Sequence, residues 1–105
     1  MSKDFFEELF EKYPKVINEM NKTFTSHDFI LALAHKNQTA YIEALYANRD
    51  KRRSGKRTPF LIVHARLAQE LANYPKLIRR VGTVNSKDIF GQPNTSVQWE
   101  KVDEH

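Results

Sequence analysis

Residues 76–102 read KLIRRVGTVNSKDIFGQPNTSVQWEKV, and this stretch decides the fold. Its first part, LIRRVGTV, is β-branched and basic. SKDIFGQPN is rich in turn formers, and TSVQWEKV alternates apolar with polar residues. That succession predicts a C-terminal β-hairpin with a long tip. Val97 and Trp99 fall on one face of the second strand and are expected on the core, leaving Gln98 and Glu100 toward water.

Upstream of the hairpin the period changes from two to between three and four. Tyr74-Pro75 ends the preceding segment, because the residue before a proline is driven out of the helical region. That segment begins at Thr58-Pro59, an N-cap followed by proline at the first helical position, where the missing N–H costs nothing. A helix over residues 58–73 is expected, with Phe60, Val63 or His64, Leu67 and Leu71 inward and Ile62, Arg66, Gln69 and Asn73 on another face.

Earlier still, Thr25 and Asp28 are spaced as a capping box, which starts a helix near residue 26. Phe29, Ile30, Leu33 and Ala34 form its apolar face. His35-Lys36-Asn37 interrupts the period before Tyr41, Ile42, Leu45 and Tyr46 resume it, which fits either a tight turn or one bent helix. At the N-terminal end, Phe6, Phe10, Tyr13, Ile17 and Met20 recur at helical steps, with Phe5, Leu9 and Val16 widening the stripe. Pro14 inside that stripe predicts a kink or a restart. The fold class is therefore α+β and mainly helical: three or four helices, then a hairpin, as one domain over residues 1–105.

Composition narrows the function. The chain has 105 residues, 40% hydrophobic and 29% charged, which is the range of ordinary globular domains. It contains no cysteine, which excludes disulfides and thiolate metal sites and makes the cytoplasm the default compartment. The N-terminus mixes charges into its apolar residues, unlike a signal peptide, and no apolar run approaches a membrane span. A membrane partner is not expected.

The formal net charge is +4, yet residues 49–57, RDKRRSGKR, alone hold six basic side chains and one acid, a net of +5. Basicity is a local feature, and one concentrated cluster suggests a surface addressed to an anionic partner.

Three or four helices followed by a long-tipped hairpin resemble the order of a winged-helix domain, a relative of the helix-turn-helix. The resemblance is architectural and spans nearly the whole chain. It implies that the helix over residues 58–73 lies in the DNA major groove and that residues 85–94, within the hairpin wing of residues 76–102, touch the backbone or minor groove. A competing register pairs residues 26–35 with a recognition helix at 38–47, led by Gln38 and Thr39. It ranks second because His35 and Asn37 occupy positions that prefer apolar residues.

On this basis the expected ligand is nucleic acid, foremost duplex DNA, bound by a small transcriptional regulator. Arg49, Lys51, Arg52, Arg53, Lys56 and Arg57 are the candidate phosphate contacts, since clustered cations displace condensed counterions. Arg66, Gln69 and Asn73 carry groups able to read base edges. Arg79, Arg80 and Lys87 extend positive charge into the hairpin, as phosphate contacts or as edge charges that oppose sheet aggregation. A homodimer through the aromatic first helix, with Phe5, Phe6 and Tyr13, is a further expectation. The alternative is a protein-interaction module whose basic loop meets an acidic partner.

Catalysis is not expected. The chain has no nucleophile elbow and only three glycines with which to build a phosphate loop. His27, His35 and His64 lack metal-ligand spacing, so neither a metal nor a cofactor is implied.

Overall fold

The computed structural model describes residues 6–48, 59–87, 91 and 93–102. The basic run 49–57, the cap position Thr58, Phe5 and most of the hairpin tip lie outside them. Five α-helices are described: α1 (Phe6–Phe10), α2 (Tyr13–Glu19), α3 (Ser26–Lys36), α4 (Gln38–Ala47) and α5 (Pro59–Glu70), which ends in a 3₁₀ turn over Leu71–Asn73. The C-terminal hairpin pairs β2 (Ile78–Lys87) with β3 (Pro93–Lys101). The chain is α+β and mainly helical.

Local chemistry accounts for each break. The aromatic stripe restarts as α2 with Pro14 in its first turn, where the proline costs no intrahelical bond. Asn37 leaves helical geometry at φ −133°, ψ 52°, and its side-chain amide donates to the Leu33 carbonyl at 3.1 Å, so α3 and α4 are separate helices. Thr25 caps α3 as the spacing predicts. The Asp28 N–H donates to Thr25 Oγ1 at 3.0 Å, and the Thr25 N–H donates to Asp28 Oδ2 at 3.1 Å.

The cap residue also belongs to a strand that the sequence pattern does not announce. β1 (Thr23–Thr25) pairs antiparallel with β3, matching Phe24 to Trp99, so the sheet order is β1-β3-β2 and β3 is its central strand. For this reason Gln98 and Glu100, expected in water, are half-buried. The ladder also runs further than expected, from Ile78↔Lys101 to Lys87↔Pro93, and leaves a shorter tip. Its register slips between Arg80 and Gly82, a bulge that puts Val81 at the surface. Proline is tolerated at the first residue of β3, where the ladder begins.

The buried side chains form one cluster: Leu9, Tyr13, Val16 and Ile17 from the first helices, Phe24 from β1, Phe29, Ile30 and Leu33 from α3, Val63 and Leu67 from α5, Leu71, Ile78 and Trp99. Two buried polar links fix it. Tyr13 donates its hydroxyl to the Leu67 carbonyl at 2.5 Å, and Trp99 Nε1–H donates to Ser26 Oγ at 2.9 Å. Both satisfy a group that would otherwise be costly to bury.

Three apolar expectations are corrected. Phe60, assigned inward, is 43% exposed, and Ile42 and Tyr46 are 59% and 60% exposed. In α4 the buried positions are Tyr41 and Ala44, followed by Asn48, whose amide is satisfied by the Ala44 carbonyl at 2.7 Å. A short helix packed on one flank exposes apolar residues that share its period but lie a quarter-turn away.

Candidate nucleic-acid interface

α5 supplies the surface on which most of the candidate readers sit. Val63 and Leu67 bury its inner face. One flank turns toward α1, where the Arg66 guanidinium carbon lies 5.7 Å from the ring centroids of both Phe6 and Phe10. The arginine is exposed yet held over two aromatic faces. On the same side Asn73 donates its amide to Glu70 Oε1 at 2.9 Å. Gln69 is exposed and, among the described residues, has no side-chain hydrogen-bond partner.

The opposite flank of α5 faces the hairpin across an open groove of about 280 Å³. Leu61, Ala65 and Ala68 line it from α5, Asn94 and Thr95 from β3, and His27 from α3. His27 pins the first turn of α3 to the hairpin: its backbone N–H donates to Ser96 Oγ at 3.2 Å, and its Nδ1 lies 3.3 Å from Ser86 Oγ. The hairpin is thereby tied to α3 near the end of its ladder, at Ser86 and Ser96. No cue in the sequence separated His27 from the other histidines for this role.

His64, at the groove's margin, stacks on Tyr41 with ring centroids 5.8 Å apart, and Tyr41 Oη lies 2.5 Å from His64 Nε2. Burial pushes the Tyr41 hydroxyl up to about 12, so it stays protonated and joins α4 to α5. His35 is exposed on α3. Among the described residues no three His, Asp or Glu side chains gather as metal ligands.

The hairpin cations are in three different situations. Arg79 is paired with Glu100 across the ladder, its Nε donating to Glu100 Oε1 at 2.9 Å. Arg80 reaches Thr83 Oγ1 at 3.3 Å, and Lys87 is exposed at the end of β2. Arg49, Lys51, Arg52, Arg53, Lys56 and Arg57 lie outside the described residues. The chain segment carrying them joins Asn48, at the C-terminal end of α4, to the N-terminal end of α5.

Two of the aromatic residues offered for a dimer interface are already used. Phe6 and Tyr13 are buried in the core at 7% and 0% exposure. Among the described residues no helix is long and apolar enough to cross a membrane. No protein-family model matches the chain, and no curated protein or solved structure proves similar to it.

Proposed function

We propose that the chain binds nucleic acid, with double-stranded DNA as the ligand, as a winged-helix-like module and small transcriptional regulator. The observation that carries this reading is the net charge of +5 in residues 49–57, attached directly to the N-terminal end of α5. The sheet order β1-β3-β2 supports it as well. A strand between the first helices and α3 adds to the hairpin, bracing a wing beside the helix that precedes it. α5 is favoured over α4 as the reader, because α5 flanks the hairpin groove.

Binding of the native chain to duplex DNA, measured against salt concentration, tests this. Four phosphate contacts from Arg52, Arg53, Lys56 and Arg57 contribute roughly −3.6 to the log-log slope, and replacing all four by alanine should flatten it by about that amount. Absence of binding to duplex, single-stranded DNA and RNA at low salt would falsify the reading. The exposed Ile42, Tyr46, Phe60 and Leu61 favour one other account, an acidic protein partner with apolar contacts, and that result would leave it standing.

A further inference from the structure

Resting on the nucleic-acid reading above, we propose that α5 reads A·T base pairs, with Gln69 across the adenine edge and Leu61 and Ala65 against thymine methyl groups. Leu61, Ala65 and Gln69 are successive members of one i, i+4 row, and so form a single ridge along the helix. The row extends over about 12 Å, the rise of roughly three to four base pairs. Leu61 is 49% exposed and Gln69 is exposed, while Ala65 between them is half-buried.

The chemistry of this ridge is selective. In the major groove an A·T pair presents adenine N7 and N6–H₂, which the glutamine amide matches with two hydrogen bonds, beside an apolar thymine methyl. A G·C pair presents two acceptors on guanine, which call for a cation. The one arginine or lysine of α5 is Arg66, and it is drawn over Phe6 and Phe10, off this row. Asn73 is engaged by Glu70, so Gln69 is the amide of α5 and its terminal turn left without a side-chain partner.

Charge complementarity identifies the occupant of this apolar ridge. A segment of net +5, residues 49–57, precedes α5 in the sequence, and such a charge suits a polyanion rather than a second apolar surface.

The test is selection from a pool of duplexes with a randomised core, followed by affinity measurement on the enriched duplex. Enrichment of an A·T run of about three to four pairs is expected. Replacing its thymines by uracil should cost about fourfold per contacted methyl, the value of one buried carbon. Gln69→Ala should lose about tenfold or more on the enriched duplex and little on an unselected one. Gln69 is exposed, so this variant should keep the native melting temperature.

Duplex binding without base enrichment, enrichment of G·C pairs, or equal affinity for the thymine and uracil duplexes would each overturn the proposal and leave nucleic-acid binding intact. Equal loss from Gln69→Ala on both duplexes would overturn it too, by reducing Gln69 to a backbone contact. Failure to bind any duplex at low salt removes both this proposal and the reading beneath it.

Discussion

Trp99→Ala should be the most damaging single change in the sheet. Trp99 is 7% exposed, pairs with Phe24 of β1 across the ladder, and donates its indole N–H to Ser26 Oγ at 2.9 Å. Truncation removes a large apolar body from the joint of three elements and leaves a cavity, at a cost of ~3 to 5 kcal/mol. For a domain of this size each kcal/mol is worth about 4 °C or more in Tm, so a fall of at least about 12 °C is expected in a thermal melt. Trp99→Phe separates the two contributions. It keeps most of the apolar contact and loses the hydrogen bond, so it should cost ~1 to 2 kcal/mol beyond any repacking. In a double-mutant cycle with Ser26→Ala the coupling should be about 1 kcal/mol. A Trp99→Ala loss below about 0.5 kcal/mol, the range of surface changes, would refute the placement of Trp99 in the core and with it the β1–β3 register.

Thr25→Ala removes one half of the capping box on α3 and should destabilise the fold by ~1 kcal/mol, read by chemical denaturation; no change would mean the α3 N-terminus is held by His27 and Ser96 alone. Burial raises the Tyr41 hydroxyl to about 12, and burial also raises Tyr74, with Glu70 adding to it, so the folded state keeps protons that the unfolded chain releases. Stability from these groups should be fully present below about pH 10, the unfolded tyrosine value, and decline as pH rises through the folded values. Tyr41→Phe should reduce that alkaline decline in a tyrosinate absorbance titration; an unchanged profile would count against burial of the hydroxyl. Arg66→Ala should cost about 0.5 to 1 kcal/mol through loss of the contact with Phe6 and Phe10, measured by melting, whereas no loss would show that the rings do not hold it. A chelator should leave Tm unchanged, since no structural metal is expected; a large drop would revive His27, His35 and His64 as ligands.

The parts of the fold legible in sequence are those set by neighbours along the chain. The capping box at Thr25 and Asp28 needs only a three-residue interval, and the restart at Pro14 needs only the proline. β1 is different. Three residues carry no usable period, and Thr23–Thr25 becomes a strand because β3 offers it an open edge 73 to 77 residues later. The outward positions of Phe60, Ile42 and Tyr46 were hidden for a related reason: periodicity defines a stripe, but the packing partner chooses which edge of the stripe is covered. For the candidate interface, charge in the sequence points to residues 49–57, which lie outside the described residues, and side-chain chemistry points to Gln69, which is exposed. That Arg66 lies over two aromatic rings and Arg79 against Glu100 depends on elements distant in sequence.

The central position of β3 also dictates an order of events during synthesis. Both of its neighbours in the sheet, β1 and β2, leave the ribosome before it, and until it follows they have no strand between them. Among the described residues β1 is paired only with β3, so Thr23–Thr25 must wait for a stretch made more than seventy residues later, while Phe24 remains without Trp99. Helices α1 to α5 can form as they emerge, because their bonds are local, but sheet closure is a late, long-range step with a high loop-closure cost. A nascent chain stalled before Pro93 would therefore present paired helices, an unpaired β2 edge and an uncovered core, the form in which small α+β domains are most exposed to chaperones and to self-association.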